Sequence, residues 1–443
     1  MKGYFMETNF IFKSTQTQVS PFNFIWGMTK NPLETLTTFA KTYGDITHIQ
    51  MPRRNFYFVN HPDFIEEALV KQQSNFVKGP ALQRARIILG EGLLTSEGVE
   101  HLAQRRALQP AFQRHKMEEY LPLMNENTFC HMAKWEHGSV VDMAEEMMRL
   151  TLNIALWSFF GNAPQDSVER VGDAMKTLIR TFPLAHIPLS DEMRYLFPNF
   201  RKAKADLFRV TEALVDNPTQ TENVKRSLIH ILKENNKNQF TEAQIHAHAL
   251  TFLLAGHETT ALLLAWCWDM LAHHPHAQTR LQNEVNEVLG NRFPTSEDIQ
   301  KLTYTNSVVK ETLRMRPPAW AMGRQAIKNC MLGKQEIKAN DVVMMSQWVM
   351  HHDARFYDAP LQFRPERWLL NPKHNLPRYA YFPFGGGNRV CIGEHFAMTE
   401  AVAVLAMIAR KWKATPMNKN MSIPKPSVTL RPHAGVKVLI EKI

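Results

Sequence analysis

The residues best suited to chemistry lie in one short segment, FPFGGGNRVCIGEHF, which runs from Phe382 to Phe396. It holds one cysteine, Cys391, together with an arginine and four glycines. A phosphate-binding loop requires lysine and then serine or threonine after its last glycine, but Arg-Val-Cys follows here. The dinucleotide-binding pattern GxGxxG also fails, because Val390 stands where its last glycine is required. A tight turn before a helix is the plain structural alternative.

The same segment is suited to holding Cys391 as a thiolate. A helix is predicted to begin after Cys391 and to continue through Ala409, and free N–H groups at a helix N-terminus favour a sulfur anion. Arg389 adds a nearby cation, Gly393 allows close backbone approach, and Gly385–Gly387 permit a turn that bulkier residues could not make. A lone cysteine held in this way suits an axial thiolate ligand of haem iron.

FGGGNRVCIG resembles the haem-binding signature of the cytochrome P-450 superfamily, F-G-x-G-x-R-x-C-x-G, with one additional glycine. The similarity extends from PLETLTTFAKTYGD near the start of the chain to TLRPHAGVKV near its end. It implies that Cys391 is the axial ligand of haem b (iron protoporphyrin IX) and that Phe384 and Gly393 contact this cofactor. It also implies a mainly α fold with a small β lobe (α+β), in which a long central helix covers a buried haem.

The family's oxygen-activating motif, A/G-G-x-D/E-T-T/S, matches AGHETT at positions 255–260. Ala255 and Thr259 are four residues apart and therefore share a helix face, and a threonine hydroxyl can bond back to the carbonyl one turn earlier. Gly256 is expected to leave room for a ligand against the helix. The resemblance assigns Ala255 to cofactor contact, and Glu258 and Thr259 to proton handling. The alternative is that Glu258 is only paired in the core and that Thr259 only packs.

The segment that carries this motif is long and apolar. Residues Ala249 to Trp268 could span a bilayer by length, but His257 and Glu258 lie at their centre, where an ionisable group is costly. We therefore expect a long helix buried inside a soluble protein. His257 itself is expected to be a core histidine with its hydrogen bonds satisfied, without a part in the chemistry.

A second set of residues matches the family's buried charge network. KETLR places Glu311 and Arg314 three residues apart on one helix face, which fits the E-x-x-R motif, and FRPERW supplies Arg367. The resemblance implies a structural role for these three side chains. For Glu311 and Arg314 alone, a surface ion pair is the simpler alternative.

Haem carries two carboxylates, which require cations. The resemblance assigns four residues to them: His101, Arg105, Arg324 and Arg389. His101 stands where many members have tryptophan, as is common in soluble bacterial members. Each of these side chains, taken alone, could equally be solvated at the surface.

The elements that must position these residues follow from local patterns. DITHIQM and NFYFV predict a hairpin, and VTLRP and GVKVLIEKI predict the last strands. VVMMSQWVM (342–350) also reads as β structure. Helices are predicted near Pro32–Tyr43, Gln244–Leu271, His276–Leu289 and Asp298–Met315. We expect one domain over 1–443, a helix-rich core with a small β-rich N-terminal lobe.

Charge and cysteine content limit the classes of binding partner and cellular compartment that the sequence predicts. The 443 residues include 52 Lys+Arg and 42 Asp+Glu, giving a net charge of +10, but the basic residues do not cluster with aromatics as in nucleic-acid binders. The four cysteines lack metal-like spacing and fit a reducing compartment. The N-terminus has no apolar core of signal-peptide length. We expect a cytoplasmic monomer with no transmembrane anchor and no fused reductase.

The predicted function is that of a haem-thiolate monooxygenase, which inserts one oxygen atom from O₂ into an apolar substrate such as a fatty acid, terpenoid or polyketide-like molecule. Hydroxylation is the expected outcome. Electrons would come from NAD(P)H through a separate reductase and an acidic ferredoxin or flavodoxin. This donor would dock on basic residues of the cysteine side: Arg106, Arg114, Lys116, Lys373 and Arg378. An H₂O₂-driven peroxygenase of the same fold and a non-catalytic haem-binding sensor or carrier are the alternatives.

Overall fold

The computed structural model describes residues 19–162, 164–181, 198–216, 227–235, 240–369 and 376–443. Helices make up most of these residues, and short strands form small sheets beside them. The mainly α class with a small β part, predicted from the sequence, is confirmed.

The α-helices cover the chain from its first described residues to the segment after Cys391. In chain order they are α1 (Pro21–Lys30), α2 (Pro32–Tyr43), α3 (Pro62–Glu66), α4 (Pro80–Arg84), α5 (Arg86–Leu89), α6 (Gly98–Leu108), α7 (Met117–Met132), α8 (Met143–Phe160), α9 (Gln165–Thr181), α10 (Pro198–Asp216), α11 (Leu228–Asn235), α12 (Glu242–His273), α13 (Pro275–Leu289), α14 (Ser296–Lys301), α15 (Thr303–Met315), α16 (Gln347–His351) and α17 (Glu394–Ala409).

Within the described residues, the strands form four small sheets. They are β1 (Ile46–Ile49), β2 (Phe56–Val59), β3 (Phe76–Lys78), β4 (Val140–Asp142), β5 (Met322–Ala326), β6 (Cys330–Leu332), β7 (Gln335–Ile337), β8 (Val342–Met345), β9 (Trp412–Pro416), β10 (Pro424–Pro426), β11 (Leu430–Pro432) and β12 (Lys437–Lys442). The largest sheet has the order β1-β2-β8-β5-β3, and a second has the order β4-β12-β9. β6 pairs with β7 and β10 with β11.

Strands from both halves of the chain build the largest sheet. The predicted hairpin is confirmed as β1 and β2, whose register pairs Ile46 with Val59. However, β2 pairs in parallel with β8, and β3 pairs with β5, so strands from the second half of the chain complete the sheet. The crossing brings Lys78 opposite Arg324, which places two cations side by side.

Helix α12 is the central element and confirms the long helix predicted over Gln244–Leu271. It starts with a capping box, in which Thr241 Oγ1 accepts from the Gln244 backbone N–H and the Gln244 side chain accepts from that of Thr241. Buried residues lie on nearly all its sides, as is typical of a core helix. Among the described residues it is the one helix long and apolar enough to cross a membrane, but most of that stretch is buried, so this is weak evidence for a span.

Two local predictions are wrong. The helix expected over Asp298–Met315 is two helices, because Leu302 is not helical and Glu284 of α13 accepts from the backbone N–H groups of Tyr304 and Thr305, at 2.6 and 2.8 Å. That contact satisfies the N-terminus of α15. Only the first half of 342–350 is a strand, because the Ser346 side chain caps α16 by accepting from the Val349 N–H.

Candidate active site

The loop before α17 turns tightly around Cys391. The Cys391 N–H donates to the Phe384 carbonyl at 2.9 Å, which closes the loop. Gly385 and Gly387 both have positive φ, +76° and +67°, and a Cβ on Gly387 would lie 1.8 Å from the Leu69 carbonyl oxygen. These glycines therefore make a turn that larger residues could not make, as predicted.

The charge environment of Cys391 differs from the expectation in two respects. Burial is the largest influence and raises the pKa of the thiol, which outweighs the lowering effects of the Gly393 N–H and of Arg105. The loop by itself therefore favours the thiol rather than the thiolate. The cation that acts on the sulfur is Arg105, whereas Arg389 donates to the Ser96 carbonyl at 2.8 Å and pairs with Glu97.

Cys391 and Ala255 are exposed although they lie among buried elements. The Cys391 side chain is solvent-accessible in spite of the burial that raises its pKa. Ala255 is exposed, while Leu253 and His257 on the same helix are buried. Both residues are therefore available to a ligand within the protein.

A cluster of basic side chains lies on the same side as Cys391. Its members are Lys78, His101, Arg105, Arg324 and Arg389, which act on one another electrostatically. Within the described part of the chain, Glu97 is the carboxylate that acts on this cluster. Lys78 and the three arginines face one carboxylate, which leaves a surplus of positive charge in a largely buried place. An anionic ligand would compensate this charge.

His101 is the neutral member of the cluster. It is buried, and burial together with the cations Arg389, Lys78 and Arg105 lowers its pKa to about 3. Its Nδ1 has no hydrogen-bond partner among the described residues. A buried ring nitrogen of this kind requires a partner, and it is free to bond a ligand that carries oxygen atoms.

Lys78 is the member that the sequence did not indicate. It is buried at the end of β3, and its Nζ donates to the carbonyls of Leu93 and Leu94. Burial, with the cations Arg389 and Arg324 contributing, lowers its pKa to about 7. No motif in the sequence distinguishes Lys78 from the other basic residues, which number 52 Lys+Arg in all. Only the pairing of β3 with β5 places it beside Arg324.

Lys78 leads to a prediction about the stability of the cofactor-free protein. Its pKa is about 7 when folded and 10.5 ordinarily, so between these values the unfolded chain holds a proton that the folded protein has lost. The free energy of unfolding should therefore rise from pH 7 toward pH 10, because the unfolded state binds one proton more than the folded state in this range. Urea unfolding at several pH values should show a smaller rise in Lys78→Met. Lys41→Met, at an exposed position of α2, is the control, and an unchanged slope in Lys78→Met would contradict the prediction.

The middle of α12 carries two threonines that bond back along the helix. Thr259 Oγ1 donates to the Ala255 carbonyl at 2.8 Å, as predicted, and Thr260 Oγ1 donates to the Gly256 carbonyl at 3.3 Å. The prediction for Gly256 is wrong: a Cβ there would lie 2.8 Å from the Phe159 ring, so this glycine serves the packing of α12 against α8.

His257 is a core histidine with one nitrogen bonded. Its Nδ1 lies 2.6 Å from the Leu253 carbonyl oxygen, and burial lowers its pKa. The burial and the bond agree with the expectation of a core histidine.

Glu258 is paired, and its partners come from the far end of the chain. Arg431 Nη2 donates to Glu258 Oε1 at 2.7 Å, and Thr429 Oγ1 donates to the same oxygen. Glu258 and Arg431 also line a cleft of about 1240 Å³ between α7, α8, α9, α12 and β11. Ala255, Thr259 and Cys391 are not part of its lining, so this cleft is distinct from the place that holds the threonine and the cysteine.

The charge network around Glu311 forms as the sequence predicts. Arg314 donates to both carboxylate oxygens of Glu311 at 2.9 Å, and Arg367 Nε donates to Oε1 at 3.0 Å. Glu311 and Arg314 are fully buried. Trp368 Nε1 and the Arg364 backbone N–H complete the shell of the carboxylate, at 2.9 and 3.0 Å.

The basic residues suggested for a protein partner differ in exposure. Arg106, Arg114 and Arg378 are exposed. Lys116 is partly buried and bonds Glu119 at 2.6 Å. Lys373 lies outside the described residues.

The chemistry of the cysteine loop and the basic cluster suits the binding of haem. An accessible cysteine sulfur suits the iron, and the surplus of basic groups with an unbonded His101 Nδ1 suits the two carboxylates of the macrocycle. Phe384 is partly buried against the core and holds the Cys391 N–H through its carbonyl.

Comparisons with known proteins agree with this geometry. The family model described as cytochrome P-450 matches residues 19–439. Cyclooctatin synthase of Streptomyces melanosporofaciens is 32% identical over 419 residues, which cover 91% of this chain and 90% of that protein. Cyclooctat-9-en-7-ol 5-monooxygenase of the same organism is 29% identical and covers 88% of this chain and 86% of its own length. Pentalenene oxygenase of Streptomyces avermitilis is 28% identical and covers 88% of both chains.

Proposed function

Because the chain belongs to the cytochrome P-450 family and is one of its monooxygenase enzymes, we propose that it hydroxylates an apolar, terpenoid-like substrate with O₂ and electrons from a separate protein donor. The observation that carries this proposal is the combination of an accessible Cys391 with a basic cluster that has one opposing carboxylate. The acid–threonine pair at Glu258 and Thr259 is the second support.

The side chains around the cofactor divide into three roles. Cys391 Sγ would hold the haem iron, Ala255, Phe384 and Gly393 would contact the macrocycle, and the basic cluster would bind its carboxylates. Haem, when bound, supplies the oxygen-transfer chemistry, and a thiolate ligand favours O–O cleavage. Arg105 has two effects here, since it acts on the Cys391 sulfur and donates to the Val390 carbonyl at 2.7 Å. It thereby fixes the loop that carries the ligand.

The remaining residues handle protons. Glu258 borders the cleft and can exchange protons with water there, and Thr259 is the next residue, on the Ala255 side of the helix. Arg431 and Thr429 both donate to Glu258 Oε1, so this oxygen must leave both partners before it can turn toward Thr259. Arg431 is therefore a positioning residue that sets how often Glu258 is released. Thr259 Oγ1 then offers the hydrogen bond that orients the proton.

The substrate class rests on the names of similar proteins and on composition. The relatives' names refer to cyclooctatin, cyclooctat-9-en-7-ol and pentalenene. The segments expected to face the substrate, by resemblance, include Phe76–Leu94 and Ala319–Gly323, which are rich in apolar residues. A fatty acid or polyketide-like molecule remains the alternative substrate.

The electron donor is proposed from charge. The net charge of +10 suits an acidic ferredoxin or flavodoxin that receives electrons from NAD(P)H through its reductase. Arg106, Arg114 and Arg378 are exposed and available for docking. We place the enzyme in the cytoplasm as a monomer of one haem domain.

The alternatives are weaker because this chain keeps the acid–threonine pair. An H₂O₂-driven peroxygenase would not need the pair to deliver protons to O₂, and a haem-binding sensor or carrier would need no proton path.

The test is the product yield of Glu258→Gln and Thr259→Ala. Since a positioned acid–base group contributes about 10²–10⁴-fold, each variant should form product at least about 10²-fold more slowly with O₂ and a reductase system. Reducing equivalents should instead be lost to uncoupled oxygen reduction. His257→Gln is the neighbouring control and should stay near the parent rate. Product formation at the parent rate in all three variants would support a peroxygenase, and a parent protein that forms no product would support a sensor or carrier.

A further inference from the structure

Helix α1 carries a group of large apolar side chains on its outer surface. Phe22, Ile25 and Trp26 are 71%, 51% and 56% exposed, and we call these three residues the α1 patch. No other five consecutive positions of the described chain carry more than two exposed large apolar residues. Single exposed apolar residues are ordinary, whereas a contiguous group marks a surface that contacts a partner or a membrane.

The core contacts of α1 come from the opposite side of the helix. Phe24 is buried, and its ring centroid lies 6.3 Å from that of Phe39 and 5.8 Å from that of Phe56. A Cβ on Gly27 would lie 2.5 Å from Thr35 Oγ1, so α1 packs closely on α2 at this point. With 3.6 residues per turn, the three positions of the α1 patch point away from Phe24. The patch is therefore an outward face that the core does not use.

The side chains of the patch form a ridge that ends in a cation. The Phe22 and Trp26 rings are stacked, with centroids 6.3 Å apart. Lys30 Nζ lies 4.9 Å from the centroid of the Trp26 ring. These three residues are spaced four apart and so follow one another along the helix surface. A tryptophan between an apolar ring and a cation suits the boundary between lipid hydrocarbon and headgroups.

The opposite end of α1 is also next to cations. Val19 forms a bridge with Ile49, the last residue of β1, which places the turn of the β1–β2 hairpin beside the start of α1. This turn contains Arg53, which is exposed, and Arg54, which is partly buried.

Charge around the patch is predominantly positive. Within the described chain, none of the cations Lys30, Arg53 and Arg54 pairs with a carboxylate. The exposed carboxylate nearest in sequence, Glu34 of α2, accepts from the Asn31 side chain at 2.8 Å. Unpaired cations beside an exposed apolar face complement a negatively charged surface.

We propose that the α1 patch docks on an anionic lipid surface, with its three apolar side chains at the hydrocarbon boundary and Lys30 and Arg53 at the headgroups. Burial of the apolar side chains and attraction of the cations to negative headgroups act together in such binding. Three side chains along one helix form a convex ridge. A fluid lipid surface accepts a convex ridge without a complementary pocket, which a protein partner would have to provide.

The docking face is connected to the segment expected to face the substrate. Phe24 on the inner side of α1 belongs to a buried cluster that also contains Phe39 and Phe58, and Trp320 packs against this cluster. Trp320 lies in the segment Ala319–Gly323. An apolar substrate dissolved in the lipid would be taken up on this side of the protein. That use of the surface rests on the proposed function, whereas the docking itself does not.

The first test is co-sedimentation of the haem-loaded full chain with vesicles of phosphatidylcholine, with and without phosphatidylglycerol. The protein should bind more tightly to vesicles that contain phosphatidylglycerol, and added salt should weaken this binding. Serine at all three positions of the α1 patch should lower the partition coefficient at least about tenfold. The control replaces three apolar residues exposed elsewhere, Ile327, Leu361 and Ile423, with serine, and it should bind like the parent. Equal loss in both triple variants, or a parent that binds no vesicles, would overturn the proposal.

The second test separates local charge from net charge. Lys30→Glu with Arg53→Glu should remove the preference for phosphatidylglycerol. Lys413→Glu with Lys437→Glu makes the same change in net charge at exposed positions of β9 and β12, and it should keep most of the preference. If the two double variants lost the preference equally, the charge of the whole chain would explain the binding and the docking face would be wrong.

The third test asks whether Trp26 enters the lipid. Vesicles whose acyl chains carry bromine should quench part of the tryptophan fluorescence of the parent and quench Trp26→Phe less. The chain has nine tryptophans, so this difference isolates Trp26. Trp26→Phe keeps an aromatic ring and should still sediment with the vesicles. Equal quenching of the two proteins would show adsorption by another face.

Other occupants of the patch give different results. Vesicle binding that appeared only after removal of residues 1–18 would assign the patch to that segment. Self-association of the parent that the triple serine variant lost, without vesicle binding, would assign it to a second copy of the chain. Either result would overturn the proposal.

Vesicle binding is measured without substrate or reductase, so it is independent of the proposed reaction. A protein that binds vesicles but forms no product would retain this inference and contradict the reaction. A protein that forms product but binds no vesicles would do the reverse.

Discussion

Replacing Cys391 with histidine should abolish the strongly red-shifted Soret band of the reduced carbon monoxide complex and reduce product formation to background. The band reports an anionic sulfur ligand, and the push of the thiolate favours O–O cleavage. The surrounding loop should survive the change, because the Phe384 carbonyl bonds the backbone N–H of residue 391 rather than its side chain. Absorption of the purified, reduced protein under carbon monoxide measures the effect.

Two other cysteines provide matched controls. Cys130 is exposed on α7 and Cys330 is partly buried in β6, so Cys130→Ser and Cys330→Ser should leave the band and the product yield unchanged. A red-shifted band that survived in Cys391→His would contradict the assignment of the ligand. A parent protein with no such band would contradict the haem-thiolate site as a whole.

The loop around Cys391 was predictable because its constraints are local. A run of glycines in FGGGNRVCIG indicates positive φ, and Gly385 and Gly387 have it. The bond from Thr259 to Ala255 is likewise fixed by helical spacing alone. The sequence thus predicts features that involve residues no more than four positions apart.

Partners distant in sequence were not predictable. Glu258 meets Arg431 across 173 residues, and Lys78 meets Arg324 only because β3 pairs with β5. No local pattern marks Arg431, since any of the basic residues of this chain could have taken that place. The sequence marks Glu258 as a candidate proton carrier, but it does not mark Arg431 as the partner of this carboxylate.

The sequence also does not predict which of several opposing effects on a pKa is the largest. The cysteine loop offers a helix N-terminus and nearby cations, which favour a thiolate, yet burial has the larger effect and raises the pKa of Cys391. Burial depends on the packing of the whole chain. The same reason applies to Glu400, which in sequence is one glutamate on a helix. In the structure it is 1% exposed on α17, and burial raises its pKa well above the usual range.

Replacing Arg314 with methionine should destabilise the protein by about 3–5 kcal/mol, the cost of stranding a buried charge. The substitution removes the bidentate partner of the Glu311 carboxylate. The loss is costly because Arg314 and Glu311 are both fully buried, so water cannot replace the partner. Arg314 also donates to the His351 and Pro360 carbonyls, at 2.8 and 2.7 Å, and these acceptors would be left unbonded. Urea unfolding followed by circular dichroism would measure the loss.

The double variant Glu311→Gln with Arg314→Met decides whether charge or packing is responsible. Removing both charges should recover part of the loss, because the stranded carboxylate is then absent. The Lys116–Glu119 pair has the same i,i+3 spacing at the surface, and Lys116→Met should cost no more than about 0.5 kcal/mol. If Arg314→Met and Lys116→Met lowered the free energy of unfolding equally, burial would not explain the contribution of the network to stability. The structural role of Glu311 would then be contradicted. A double variant as unstable as Arg314→Met alone would instead assign the loss to the missing bonds to the His351 and Pro360 carbonyls.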